Sequence, residues 1–246
     1  MASQLSVADL LAIVQPWSEI EEPIHRRLAQ ISDAEGGEET LWVGCGSGRS
    51  VLWWCERFRT HTEGTDPDPV AIDLAERTAR DAGLANLATF QVADPTNLPH
   101  EDEVFDATMV HMLHLPGADA QSVLREARRV TRPMGTVMAL VPSWLRTPTD
   151  IETARVDSLG IAALLTVEWK GLLRNAGVVE ISVEEARPDG SWLAHRVPTL
   201  IMRGWRVAGW LGVRTVLGRN MRTLRRSVRN RSLSLFVMKG STWPHN

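Results

Sequence analysis

Short apolar runs alternate with longer stretches that carry apolar residues at helical spacing. Leu41 and Val43 mark a first strand, and an apolar helix is expected from about Ser50 to Phe58. His61–Thr65 reads as a second strand with Asp66 at its carboxyl end. A helix to about Ala82 follows, with Ala71, Leu74, Ala75 and Thr78 as its stripe. Ala88–Ala93 and Val104–Val110 read as the third and fourth strands. Asp119–Thr131 is amphipathic, with Val123, Leu124, Ala127 and Val130 inward, and Thr136–Val141 is a fifth strand. Residues 143–165 interrupt the pattern, and Val178–Glu184 resumes it as a sixth strand. Ahead of all this, residues 1–37 read as two helices broken at Pro16-Trp17, with Ile24, Leu28 and Ile31 on one side of the second. Strands alternating with helices predict an α/β fold, a largely parallel sheet covered on both faces.

The turns between these elements carry the chemistry. Gly44-Cys45-Gly46-Ser47-Gly48 forms a tight turn after the first strand. Alternate glycines let a backbone approach a ligand closely, and the helix behind them offers unpaired N–H groups. An acid at the tip of the second strand, Asp66, is placed to accept hydrogen bonds from both hydroxyls of a ribose. Asp68 and Pro69 suit an N-cap and a first helical residue, and Gly83 suits the helix end. This is a nucleoside-cofactor half-site. A dinucleotide-linked dehydrogenase also uses a glycine turn, but with the spacing G-x-G-x-x-G, whereas the spacing here is G-x-G-x-G.

Composition narrows the setting. The chain's 246 residues suit one α/β domain with additions. No run of eighteen uncharged apolar residues occurs, and the N-terminus lacks a basic segment and a clear cleavage site. Two cysteines, Cys45 and Cys55, do not make a disulfide framework, so a reducing cytoplasm is expected. The seven histidines show no metal-ligand spacing, and no metal is expected. The net charge of −3 conceals a split. Residues 191–246 contain ten Arg, Lys239 and no acid, which leaves a strongly acidic remainder. Within that tail Leu217, Met221, Leu224 and Val228 share one helical face, and Arg222, Arg225, Arg226 and Arg229 another. Upstream, Trp205, Trp210, Leu211 and Val213 surround Arg203, Arg206 and Arg214. Trp, Leu and Arg without acids is the composition of an interfacial helix, so residues 203–229 are a candidate contact with an anionic membrane surface. That would place the protein peripherally on the inner face of the membrane. The alternative is a solvated basic face over a dimer or lid contact. Nucleic acid is not expected, because the Trp residues sit within an apolar run rather than among exposed basic residues.

The text TLWVGCGSG followed by EGTD resembles motif I and the second-strand acid of the class I S-adenosylmethionine (SAM) methyltransferases, usually close to VLDVGCGTG and GVDxS. ADPTNLPHEDEVFDATMV resembles that family's GDAxxLPFxDxxFDxV, HMLHLP its HMLYHVP or LHHLP, RPMG its KPGG turn, and VEWKGLLRNAG its WxxLLxxAGF helix. The resemblance holds in order over residues 38–142 and more faintly to the C-terminus. The chain as a whole looks most like the ubiquinone/menaquinone-biosynthesis type and its small-molecule relatives.

This resemblance implies a Rossmann-like doubly wound sheet of seven strands, order 3-2-1-4-5-7-6, with Ser232–Met238 as the antiparallel seventh. It implies a helical cover over residues 1–37 and a SAM-binding domain over 38–246. Inserts then fall at 143–165, as a lid or substrate segment, and at about 190–230, where the family's connection is short. SAM, leaving as S-adenosylhomocysteine, is the implied cofactor. Its implied contacts are Gly44, Cys45, Gly46, Ser47 and Gly48 in the turn, Asp66 with Pro67 at the ribose, and Asp94 with Pro95 at the adenine. Pro95 lacks the N–H that this position otherwise offers to the ring. His111 falls beside the methionine part of SAM and, with His114, is the candidate general base.

One departure is plain. Trp42 stands where the family carries an acid that helps to hold the methionine ammonium, with Glu19, Glu21 and Glu22 as substitutes elsewhere in the chain. The expected activity is methyl transfer to a small, lipophilic acceptor that is quinone-, lipid- or natural-product-like. A phospholipid-headgroup N-methyltransferase and a catalytically silent SAM-binding protein are the alternatives.

Overall fold

Leu41, Trp42 and Val43 are all buried, so β1 (Glu39–Val43) can only be an interior strand. In the computed structural model, which describes residues 22–32, 36–158, 160–186 and 218–243, it lies between β2 (His61–Asp66) and β4 (Phe105–His111), parallel to both. β3 (Ala88–Val92) extends the sheet beyond β2 and β5 (Thr131–Trp144) beyond β4, again in parallel. β8 (Leu233–Thr242) then runs antiparallel between β5 and β7 (Val178–Glu185), giving the order β3-β2-β1-β4-β5-β8-β7. This is the expected order and the expected antiparallel last strand. It differs by one element, the two-residue β6 (Leu164–Leu165), which pairs with β5 inside the 143–165 insert.

The two faces of the sheet take different helices. On one, α1 (Glu22–Ser32) and α2 (Arg49–Phe58) bring Leu28, Val51 and Trp54 onto Trp42, Met109 and Leu140. On the other, α4 (Ala120–Val130) and α6 (Thr166–Asn175) bring Leu124, Ala127, Trp169 and Leu173 onto Leu41, Val110 and Ala139. Val123, Leu124, Ala127 and Val130 all point inward as expected. Asp119 caps α4 by accepting the Ser122 N–H, and Asp68 caps α3 (Pro69–Asp81) by accepting that of Val70.

Three expectations need correction. The buried stripe of α3 is Ala71, Ile72, Ala75 and Ala79, while Leu74 is exposed and Thr78 only partly covered. The fifth strand begins at Thr131, because Arg132–Gly135 is a bulge rather than a separate turn. Its register steps from Phe105 opposite Thr131 to Ala107 opposite Thr136, with Met134 at a φ of 65°. At its other end the strand runs on through Ser143 and Trp144, so the insert proper starts later and forms α5 (Asp150–Asp157) behind a Thr149–Glu152 capping box.

α7 (Gly218–Arg229) turns Thr223, Ser227 and Val228 inward and exposes Arg222, Arg226 and Arg229. It docks on α5, where an Arg155 N–H donates to the Thr223 hydroxyl at 3.0 Å. The helix expected before Pro16, and Arg203, Trp205, Arg206, Trp210, Leu211, Val213, Arg214 and Leu217, lie outside the described residues, as do the side chains of Ile24, Met221, Leu224 and Arg225. No helix among the described residues is long and apolar enough to cross a membrane.

Candidate cofactor site

The chain leaves β1 into the glycine turn, and the turn is tied to the neighbouring strand at once. The N–H groups of Gly44 and Cys45 both donate to the Thr65 carbonyl, at 2.8 and 2.9 Å. Two of the glycines are sterically required. Gly46 sits at a φ of +54°, and a Cβ there would lie 2.9 Å from the His114 ring. Gly48 sits at +77°, and its Cβ would lie 2.8 Å from both Ala75 and the Phe90 ring. Gly48 is also the N-cap of α2 and brings no side-chain acceptor, so the first turn of α2 keeps N–H groups for a ligand.

Asp66 closes the same loop from β2. One carboxylate oxygen accepts the Gly46 N–H at 2.8 Å and the other the Asp68 N–H at 2.9 Å. The residue is 0% exposed, and burial pushes its pKa up to about 6 against the pull of those two N–H groups. A carboxylate has roughly four lone-pair positions, so each oxygen retains capacity for a further donor. Asp94, at the end of β3, is exposed instead. One of its oxygens accepts both the Thr96 N–H and the Thr96 hydroxyl, at 2.8 and 2.7 Å, which holds its pKa below the usual range. The Asp-Pro-Thr turn is therefore real, and it leaves the second oxygen without a partner among the described residues.

A cleft of about 510 Å³ opens at the carboxyl ends of β2, β3 and β4. Pro67, Asp68, Asp94, Pro95, Thr96 and His114 line it, together with Leu115–Ala118. It thus brings together Pro67, Asp94, Pro95 and His114. Asp66, the glycine turn and His111 are not in its lining; Asp66 is turned under the loop that it holds. A larger hollow of about 590 Å³, between Arg26, Gln30, Trp53, Arg57 and Phe58, lies along α1 and the C-terminal half of α2, away from the strand ends where open α/β sheets bind ligands.

Beyond the loop stand three buried imidazoles. His111 ends β4, and His114 lies in the 3₁₀ turn Met112–His114 that follows. Their rings stack with centroids 3.8 Å apart. The third, His25 of α1, carries no signal in the sequence. It reaches the first turn of α2, with Nε2 3.1 Å from the Ser50 hydroxyl, and stacks on Trp53. Burial, reinforced by His114 and His25, holds His111 well below the usual imidazole range, so it is neutral at physiological pH. The described residues hold no grouping of His, Cys, Asp and Glu suited to a metal ion.

Trp42 packs edge-on against Trp54, 5.9 Å between rings, within an aromatic cluster. Its indole N–H is a buried donor without an acceptor. Of the substitutes for a missing acid, Glu19 and Glu21 lie outside the described residues, as does the side chain of Glu22 at the head of α1.

The arrangement fits SAM. The loop is a cradle that a single Cβ at Gly46 would close, carboxylates stand at two adjacent strand ends, and a stacked imidazole pair abuts the loop. Comparison with known proteins agrees. The profile of a family described as "Methyltransferase domain" matches residues 41–135. Methyltransferase GfsG of Streptomyces halstedii is 29% identical over 191 residues, which is 72% of this chain and 67% of that protein. The 27-O-demethylrifamycin SV methyltransferase of Amycolatopsis mediterranei is 29% identical over 181 residues, 69% of this chain and 66% of that protein. The match therefore spans about two thirds of the length of these curated relatives. Among solved structures, the cyclase SpnF superposes with a TM-score of 0.72 at 18% identity, covering 97% of this chain and 96% of its own.

Proposed function

We propose, for a chain that belongs to the class I SAM-dependent methyltransferases of the quinone-biosynthesis-like group, that it methylates a small, lipophilic acceptor through a hydroxyl oxygen. The observation that carries this reading is the cleft at the ends of β2, β3 and β4, with Asp94 on one wall and the His114 imidazole, stacked on His111, on another. A relative named as a 27-O-demethylrifamycin SV methyltransferase supports an oxygen as the acceptor atom.

Bound SAM supplies an electrophilic methyl group on a sulfonium. The chain's own part is to bind and align. Asp66 and the glycine turn hold the ribose, and the free oxygen of Asp94 accepts the adenine amino group. The first turn of α2 offers N–H groups to the carboxylate of the methionine part. His114 lines the cleft and stacks on the buried His111 ring, so its imidazole is the group placed to take the proton of an attacking hydroxyl. Orientation supplies most of the rate, because the sulfonium needs no further activation.

Calorimetric titration with SAM and S-adenosylhomocysteine tests the cofactor half of this proposal. Micromolar binding of both is expected, and folded protein that binds neither overturns it. Production of S-adenosylhomocysteine in the presence of hydroxylated quinols or polyketides then tests the acceptor half. Binding without turnover on any acceptor favours a cofactor-holding protein with a different reaction. That reading has independent support in the overlap with a fold used by a cyclase.

We also propose that α7 meets an anionic surface through charge rather than insertion. Its inward residues are engaged with the body of the protein, and its outward stripe is Arg222, Arg226 and Arg229. Binding to vesicles containing anionic lipid should weaken with salt and be lost in the triple Arg→Gln variant. Binding that ignores lipid charge overturns it.

A further inference from the structure

The two edges of the sheet, as the described residues form it, are built differently. β7 at one edge is guarded against a further strand. Its pairing with β8 slips between Val179 and Ser182, Glu180 sits in that slip at a φ of 53°, and Glu184 and Glu185 add charge. β3 at the other edge has no such guard. Its residues, Ala-Thr-Phe-Gln-Val, include no charge and no proline, and its register with β2 is unbroken from Ala88 to Val92. Thr89 and Gln91 are exposed, and Val92 is 48% exposed. On α3, which packs over this strand, Asp73 pairs with Arg77 and Glu76 with Arg80, so these four charges are matched within the helix.

The backbone of β3 limits how it can be extended. The Thr62 N–H donates to the Leu87 carbonyl at 2.9 Å, and the Ala93 N–H to the Asp66 carbonyl at 3.2 Å. Odd-numbered positions therefore turn their peptide groups to β2, and Ala88, Phe90 and Val92 turn theirs outward. The Ala88 N–H is already used by the Leu84 carbonyl, at 2.9 Å. Phe90 and Val92 remain, one on each side of Gln91, and that arrangement is complementary to itself about a two-fold axis. We propose that β3 pairs antiparallel with β3 of a second copy of this chain, with the axis at Gln91. Phe90 then exchanges both backbone bonds with Val92 of the second copy, and Val92 with its Phe90, four bonds that use every outward N–H left on the strand. An axis at Phe90 would call on the Ala88 N–H a second time. The two sheets join into one, and because the strands are antiparallel the two cofactor clefts open at opposite ends of it.

This pairing does not depend on the cofactor reading, so it is tested on the full chain without ligand. Sedimentation equilibrium should show the 27.3 kDa chain in a monomer–dimer equilibrium with a dissociation constant on the order of 10 μM. Val92→Pro deletes an N–H that the chain's own sheet does not use, and with it two of the four bonds, so the dimer should weaken about tenfold or more. Val92→Thr keeps the N–H and the β-branched shape and should dimerise within about twofold of wild type. Gln91→Cys tests the register. Residues at the axis form a non-hydrogen-bonded pair with Cα atoms about 4.5 Å apart, within disulfide reach. The native Cys45 and Cys55 are buried, so mild oxidation should cross-link Gln91→Cys into a covalent dimer and leave Thr89→Cys uncoupled. A chain that sediments as a monomer at about 300 μM overturns the proposal. So does a dimer that Val92→Pro leaves intact, or one that cross-links through Thr89→Cys and not through Gln91→Cys.

Discussion

At one end of the site two carboxylates stand at strand tips and are held by backbone and hydroxyl donors; at the other stand buried aromatic groups, the His111–His114 stack and the cluster that His25 and Trp42 join through Trp53 and Trp54. The first end is the one we assign to adenosine, and its groups are anchored by their own turns. Asp66 is fixed by the loop it closes and Asp94 by Thr96 two residues on. The second end is assembled from distant segments: α1 and β1 each make ring contacts with α2, and the β4 terminus contributes its own imidazole stack. A nucleoside is uncharged, so recognition there needs strong, oriented acceptors. The methionine end carries its own charges and can be met by neutral groups in a low-dielectric pocket.

The largest effect should come from removing the acid shared by loop and ribose. Asp66→Ala leaves the Gly46 and Asp68 N–H groups without their acceptor and would delete the two ribose contacts proposed for this carboxylate. Two such bonds are worth about 3 kcal/mol, so SAM affinity should fall about a hundredfold by calorimetry while circular dichroism shows a folded protein. Unchanged affinity would mean that the second-strand acid is not the ribose ligand.

Next in size is Gly46→Ala, which attacks the junction between the two ends. The new Cβ falls 2.9 Å from the His114 ring at a φ of +54°, so either the ring or the loop must shift. A loss of tenfold or more in SAM affinity is expected, together with a lower melting temperature. A variant with wild-type affinity would place His114 too far from the cofactor to matter.

The contrast between the two ends also explains what could be read in the sequence. The glycine turn, Asp66, the Asp68 cap and the inward face of α4 follow from local rules: backbone conformation, N-cap chemistry and a clear 3.6-residue stripe. The stripe of α3 was ambiguous, because alanines at 71, 75 and 79 leave the helix phase to whichever of Ile72 or Leu74 the sheet accepts, and the sheet accepts Ile72. His25 had no local signal at all, since only the docking of α1 on α2 brings it to Ser50. Trp42 announced a missing acid in the sequence, but not that its indole would turn into a cluster with Trp54. Nor could a pattern of residues show that the bulge at Arg132–Gly135 belongs to the fifth strand.

Asp94→Asn tests the adenosine end more gently. Thr96 donates twice to one oxygen, which fixes the amide carbonyl there and turns the NH₂ toward the adenine amino group. Donor would then face donor, and SAM affinity should drop about tenfold. Asp94→Ala should behave alike. A much larger loss would indicate that Asp94 mainly holds the turn, which melting of the variant would reveal.

The smallest effect is a proton. Burial raises the pKa of Asp66 to about 6, so the free protein carries this carboxyl partly protonated just below neutrality. The sign for stability follows from that direction. The folded pKa lies above the ordinary 3.8, so the contribution is fully present below about 4 and is lost as the pH rises through 6, a loss of about 3 kcal/mol by neutral pH. Ribose hydroxyls donate to the ionised form, and the cofactor's positive charge favours it further. Binding should therefore lower this pKa and release a proton. Near pH 6 the heat of SAM binding should depend on the ionisation enthalpy of the buffer, and affinity should fall about threefold from pH 7.5 to 5.5. Methylthioadenosine should show the same trend, because the proton belongs to the ribose end. His111 lies well below the usual imidazole range and is neutral over that interval, so it adds nothing to it. A pH dependence confined to ligands that carry the ammonium would move the titrating group to the imidazole end and reverse the assignment of charge between the two halves of the site.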